Sequence, residues 1–135
     1  MTATNGDRQM MRSDADRARV FLTMVGDKWP LLVACHLKEG SRRFTELKQA
    51  VEGISQRMLT VTLRSLERDG LVARTVHGGM PPHVRYQLTP MGRRLSEVAA
   101  PLLEWTMRHL TNIDEARAAY DTLTGGPSTT NRTSE

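Results

Sequence analysis

The segment from Ser41 to Leu88 constrains the fold of this chain more than any other part of the sequence. Two apolar patterns with helical spacing lie on either side of the turn Gly53-Ile54-Ser55. A run of β-branched residues follows, then a tip rich in glycine and proline at residues 77–82, then a second short alternating strand. Helix, turn, helix and β-hairpin in this order predict a winged helix–turn–helix.

The rest of the chain predicts further helices around that hairpin, so the expected fold class is mainly α with a small β-hairpin wing. Ser13 is the expected N-cap of the first helix, Ser55 that of the fourth, and Gly70 supplies the positive φ that ends the fourth. The first four helices are expected at 14–25, from Lys28 to Gly40, at 45–51 and at 56–69, and the two strands at 71–76 and 84–88.

The pair Thr89-Pro90 predicts the start of a long last helix. Pro101 is expected to kink that helix or split it in two, with a further helical segment from Asp114 to Leu123. The polar ends predict a flexible arm (residues 1–13) and a flexible tail (residues 124–135) on either side of one DNA-binding and dimerisation domain at 14–123.

Composition narrows the class of protein. The 135 residues are 39% hydrophobic and 25% charged, which is typical of one globular domain. No apolar run approaches the ~20 residues of a membrane span, and the first residues lack the apolar stretch of a signal peptide. A single cysteine predicts no disulfide and fits a cytoplasmic protein associated with the nucleoid.

Positive charge is concentrated in the predicted winged segment. Residues 41–86 contain eight basic and four acidic residues, whereas 1–40 contain six and five, and 87–135 contain five and six. A phosphate backbone would attract such a segment. This charge distribution fits a basic surface that contacts only solvent equally well. The arrangement of the basic side chains therefore has to distinguish a DNA-binding surface from a solvated one.

The fourth helix has the pattern expected of a helix that reads DNA. Leu59, Leu63 and Leu66 recur on one face, which predicts its buried side. Arginine and glutamine can pair with guanine and adenine in the major groove, and apolar groups can touch the thymine methyl. The side chains on the opposite face are therefore candidates for reading bases: Gln56, Arg57, Thr60, Val61 and Arg64.

A second set of side chains is placed to contact the DNA backbone or to lie on the wing. It comprises Arg42, Arg43, Thr45, Lys48, Ser55, Arg68, Arg74, His77, His83 and Arg85. The two histidines, taken singly, are also consistent with loop residues that have no contact.

Five motifs resemble those of HxlR-type transcriptional regulators, which are relatives of the MarR group. They are G-D-K-W-P-L-L (26–32), R-R-F-T-E-L (42–47), G-I-S-Q-R-M-L-T (53–60), L-R-S-L-E-R-D-G-L-V (63–72) and P-P-H-V-R-Y-Q-L-T-P-M-G (81–92). The resemblance implies a homodimer formed by the terminal helices, with the two reading helices ~34 Å apart on a pseudo-palindromic operator. The implied dimer contacts are Val20, Phe21, Leu102, Trp105 and Leu110.

The resemblance also bears on regulation. Thiol-sensing members of the family carry a cysteine at the start of the first helix, and the matching position here is close to Asp16. The only cysteine, Cys35, lies in the predicted buried helix, which favours a core role over redox sensing. A small-molecule effector is the alternative switch, and Met24, Met91, Trp105 and Met107 are candidates to line its pocket.

Three classes of function remain to be compared. The leading hypothesis is a sequence-specific DNA-binding regulator, a repressor as is common in such families. The alternative is a winged-helix adaptor that binds proteins, although the basic reading face argues against it. An enzyme is not expected, because the four histidines lack metal-ligand spacing and no nucleophile or phosphate-binding motif is present. No cofactor and no metal are predicted.

Overall fold

The structure, a computed structural model, describes the backbone of residues 5–125 and the side chains of residues 13–125. Within those residues the elements follow in the order α1 (Asn5–Val25), α2 (Pro30–His36), β1 (Arg42–Arg43), α3 (Phe44–Ala50), α4 (Gln56–Arg68), β2 (Val72–His77), β3 (His83–Leu88) and α5 (Pro90–Thr124). The described residues up to Val98 belong to one compact unit, and those from Ala99 onward belong to another. The expected fold class, mainly helical with a small sheet as wing, is confirmed.

The core of the first unit forms where α2, α3 and α4 meet the hairpin. Leu37, Leu47 and Leu59 are 0% exposed, and the three leucines of α4 lie on one side of the helix as their spacing predicts. Trp29, Phe44 and Tyr86 are half-buried against this core. Trp29 therefore has the core role that its position before α2 predicts.

Local capping fixes both ends of α4. At its start the Ser55 hydroxyl accepts a hydrogen bond from the backbone N–H of Met58 at 3.0 Å. At its end Gly70 has φ of +74°, and the backbone N–H of Leu71 donates to the carbonyl of Leu66 at 2.9 Å. The helix bounds predicted from Ser55 and Gly70 are confirmed.

Replacing Ser55 by alanine should lower the free energy of unfolding by ~1 kcal/mol, because the N–H of Met58 loses its acceptor. Urea denaturation followed by circular dichroism measures the change. Ser55→Asp is the matched control, since a carboxylate restores the acceptor and suits the positive end of the helix dipole. Equal losses in both variants would contradict a capping role.

The sheet has the strand order β1-β3-β2, with both pairings antiparallel. Val72 pairs with Leu88 at the base of the hairpin and His77 with His83 at its tip. The two strands predicted from the sequence are joined by a third, because Arg42 and Arg43 pair with Tyr86 and Arg85. This third strand depends on a partner more than forty residues away, so its local sequence does not reveal it.

Several helix boundaries predicted from the sequence differ from those in the structure. α1 begins at Asn5, so Ser13 lies inside the helix and does not cap it. Residues 1–4 of the predicted arm, and residues 126–135 of the predicted tail, lie outside the described residues. α2 begins at Pro30 with Trp29 as N-cap, because proline is favoured at the first helical position. Thr45 lies in the first turn of α3, with Arg43 as N-cap.

The last helix is not split in two at Pro101, so that alternative of the prediction is wrong. α5 is one helix from Pro90 to Thr124, and Asp114–Leu123 is part of it. The proline removes one backbone hydrogen-bond donor, but the flanking leucine, alanine and glutamate residues favour helix strongly enough to continue it. At its start the Thr89 hydroxyl accepts from the N–H of Gly92 at 3.0 Å, which confirms Thr89 as N-cap.

The apolar residues along α5 are only partly buried. Leu95 packs against the core of the first unit, whereas Val98 is 76% exposed. Among the residues of the second unit, Leu102, Trp105 and Leu110 are 58%, 49% and 43% exposed. None of the helices described here has both the length and the apolarity needed to cross a bilayer.

Candidate nucleic-acid interface

The outward face of α4 is exposed and basic. Arg57, Arg64 and Arg68 are exposed, and Val61 between them is 48% exposed. These positions lie opposite the buried leucine face because they are offset from it by about half a helical turn. Three of the residues predicted to read bases, Arg57, Val61 and Arg64, thus share one solvent-facing surface.

Gln56 and Thr60 lie at the edge of that surface. Gln56 is exposed and Thr60 is half-buried. The Thr60 hydroxyl donates a hydrogen bond to the carbonyl of Gln56 at 2.9 Å, so this donor is already satisfied within α4. Both residues lie on the side of α4 that faces the sheet, where they take part in a cleft.

This cleft between α4 and the sheet, called here the α4–wing cleft, has a volume of about 310 Å³. Its floor includes Phe44, Leu63 and Tyr86, and its charged side chains are Arg64, Glu67 and Arg74. The two arginines are among the candidates that the sequence predicts, whereas Phe44, Glu67 and Tyr86 are not. Glu67 could have been predicted from the sequence, because it lies eleven residues after Gln56 and therefore falls on the same side of α4.

Two of the arginines nominated as backbone contacts hold the fold together at the base of the wing. The Nε of Arg42 donates to the carbonyl of His36 at 2.8 Å. The Nε and Nη2 of Arg85 donate to the Oγ and carbonyl of Ser41, both at 2.9 Å. These bonds connect β1 to the end of α2 and β3 to Ser41, the residue before β1.

The other nominated backbone contacts lie on exposed surfaces of the same unit. Arg43, Thr45, Lys48 and Arg74 are exposed, and the backbone N–H of Arg43 donates to Glu46 at 3.0 Å. Ser55 is exposed as well, although its hydroxyl already accepts a bond as the cap of α4. The start of α3, the outward face of α4 and the sheet thus carry the predicted contacts within one unit.

The tip of the wing carries two stacked histidine rings. The ring centroids of His77 and His83 are 5.5 Å apart and their planes differ by 8°. Desolvation, followed by the positive charge of Arg43 and the neighbouring His77 and Arg85, lowers the pKa of His83. Met80, in the middle of the loop between β2 and β3, is 99% exposed. At neutral pH the tip therefore presents neutral His83 and an apolar side chain.

Cys35 lies in α2 and is partly buried. Burial raises the pKa of its thiol, against the opposite effect of the positive charge on Lys38. A raised pKa means less of the reactive thiolate at neutral pH. This geometry agrees with a packing role for Cys35.

Cys35 should accordingly react slowly with iodoacetamide in the folded protein and rapidly after unfolding. Mass spectrometry of the native and the urea-unfolded protein at pH 7.5 measures both rates. The unfolded chain is the internal control for the intrinsic reactivity of the thiol. Equal rates in the two states would contradict the packing role.

The comparisons with known proteins agree with this geometry. Residues 24–114 match the model of the family described as HxlR-like helix-turn-helix. The chain belongs to this family. It is 41% identical over 98 residues to the uncharacterized HTH-type transcriptional regulator YdeP of Bacillus subtilis strain 168, a match that covers 73% of this chain and 77% of YdeP. It is 38% identical over 96 residues to the uncharacterized HTH-type transcriptional regulator YtfH of Escherichia coli K12, covering 71% and 76% of the two chains.

A solved structure resembles this HxlR-like chain over most of its length. The redox regulator HypR in its reduced form superimposes with a TM-score of 0.66 and is 35% identical, covering 73% of this chain and 98% of HypR. The fold and the family together identify a transcriptional regulator with a helix–turn–helix DNA-binding domain. This is a family of regulators and not of enzymes.

Proposed function

We propose that this HxlR-like regulator binds a pseudo-palindromic operator as a homodimer and represses transcription. The observation that carries the proposal is the exposed basic face of α4 beside a hairpin wing in the same unit. A helix of this kind fits the major groove, and a neighbouring wing fits the backbone or the adjacent minor groove. A repressor needs no surface that contacts the polymerase, because bound protein on a promoter excludes it.

The exposed apolar residues of the terminal helices support the homodimer. Val20 of α1 is 73% exposed, and Leu102, Trp105 and Leu110 of α5 are each more than 40% exposed. Apolar surface of this kind in a folded chain marks a protein interface. Phe21 differs, because it is half-buried against the core of its own chain, and contributes only its remaining surface.

A cleft beside the reading helix supports control by an effector. It has a volume of about 360 Å³ and lies between α1 and the end of α4, with Phe21, Met24 and Arg68 among the residues that line it. A ligand held there would contact the helix that reads DNA, so its binding could change the position of that helix. Of the four residues nominated for such a pocket, Met24 lines this cleft.

Arg57 and Val61 are the proposed base readers, because they lie on the outward face of α4 and do not line the α4–wing cleft. Arg57→Ala should weaken operator binding about tenfold to a hundredfold and change binding to unrelated duplex far less. Fluorescence anisotropy with the two duplexes measures both affinities.

Arg117→Ala is the matched control, since it removes the same charge from an exposed position on α5. It should leave operator preference unchanged. Equal losses on both duplexes for Arg57→Ala would show that Arg57 contributes only charge and would remove it from the set of base readers.

A further inference from the structure

The α4–wing cleft combines two arginines with a fixed aromatic floor. Arg64 approaches it from α4 and Arg74 from β2, so the two positive groups come from different elements. Phe44 and Tyr86 pack against the core below them. The position of the floor is therefore set by the fold, and Arg64 and Arg74 line the same cleft.

We propose that the α4–wing cleft binds one backbone phosphate of the DNA in each half-site, held between Arg64 and Arg74. The proposal rests on the proposed operator binding and deepens it. A guanidinium group offers paired N–H donors that match a phosphate, and two groups on opposite walls can reach different phosphate oxygens. The DNA strand that passes from the reading helix to the wing has to cross this cleft, since both elements form its walls.

This assigns Arg64 a different role from that of Arg57. Both residues are exposed on the outward side of α4, seven positions apart, but only Arg64 lines the cleft. Arg64 then positions the reading helix on the duplex, and Arg57 reads the sequence. The pair supplies a matched comparison, because it consists of the same residue type on the same helix.

Glu67 also lines the α4–wing cleft and provides a second test of the phosphate site. A carboxylate repels a phosphate, so Glu67 lowers the affinity of the site for its ligand. Removing its charge with Glu67→Gln should therefore tighten DNA binding about two- to fivefold. If the cleft instead received the amino group of a base or a cation, the same variant would weaken binding.

The test measures the affinity of wild type and variants for the operator and for a scrambled duplex across a series of salt concentrations. Arg64→Gln and Arg74→Gln should each weaken binding to both duplexes by a similar factor of about ten or more. Each should also lower the slope of log affinity against log salt by about 1.8 for a dimer, which loses two phosphate contacts. Arg64→Lys should recover most of the slope, since it keeps the charge.

Two further measurements identify the ligand as a phosphate. A single neutral methylphosphonate, placed in turn along the operator, should weaken wild-type binding at one position of each half-site and leave Arg64→Gln binding unchanged there. The losses in the Arg64→Gln/Arg74→Gln double variant should fall short of the sum of the single losses, because both side chains hold one group. Circular dichroism confirms that these exposed variants fold.

The outcomes separate the phosphate site from operator binding itself. If Arg64→Gln weakens binding to the operator alone and leaves the salt slope unchanged, the phosphate site is overturned. The proposal that the protein binds an operator would still stand. Weaker binding of Glu67→Gln would overturn the phosphate site in the same way. Binding of the wild-type protein without preference for any duplex sequence would overturn operator recognition, and no binding to either duplex would overturn the phosphate site as well.

Discussion

Gly92→Ala should lower the free energy of unfolding by about 3 kcal/mol or more. A Cβ atom at this position would lie 1.9 Å from the carbonyl oxygen of Leu71 and 2.8 Å from its carbonyl carbon. Leu71 is 2% exposed, and the same carbonyl accepts the backbone N–H of Thr89 at 3.0 Å. The clash therefore falls on buried backbone that cannot rotate away, and the start of α5 has to move.

Urea denaturation followed by circular dichroism measures the loss, and Gly78→Ala is the matched control. A Cβ at Gly78 meets no atom within 4 Å, so this variant should stay within about 0.5 kcal/mol of wild type. Wild-type stability in Gly92→Ala would contradict the close approach of α5 to Leu71.

Leu59→Ala should lower the free energy of unfolding by ~2–5 kcal/mol, the range observed when buried leucines are truncated to alanine. Leu59 is 0% exposed at the centre of the core beneath α4. Removing most of its side chain leaves a cavity in a core that is packed from several helices and the hairpin. Thermal and urea denaturation measure the loss.

Val61→Ala is the control for Leu59→Ala, two residues further along the same helix. Val61 is 48% exposed, so its truncation should change stability by less than about 0.5 kcal/mol. It should instead weaken operator preference, because the lost methyl groups no longer touch a thymine methyl. A large stability loss in Val61→Ala would contradict the orientation of α4.

The features that the sequence predicts correctly depend on neighbouring residues. The leucine spacing of α4, its Ser55 cap and the positive φ of Gly70 are each decided within a few residues, so the reading helix and its bounds follow from the local sequence. The hairpin follows in the same way from its alternating residues and its Gly/Pro tip.

The features that it does not predict depend on distant partners. The cleft floor brings Phe44 together with Tyr86, which lies 42 residues later in the chain. The bonds of Arg85 to Ser41 likewise require the finished sheet. Basic residues in this segment look alike in sequence, so periodicity cannot separate an arginine that secures the wing from one that faces DNA.

For the apolar face of α5, prediction from the sequence has a different limit. Helical periodicity shows that a face will be buried, but it does not say whether the partner is the same chain or a second copy. Leu95 packs on the core of its own chain, whereas Leu102, four positions after Val98 on the same apolar face, is 58% exposed. Only the folded structure separates the two groups.

Selection of DNA from a randomised duplex pool by the purified full-length protein tests the central claim most directly. Repeated binding and amplification should enrich an inverted repeat whose half-sites are centred about one helical turn apart, ~34 Å. The enriched duplex should bind at least ~10³-fold more tightly than a scrambled version at physiological salt. A pool that remains random after selection, with equal affinity for every duplex, would contradict sequence-specific operator binding by this protein.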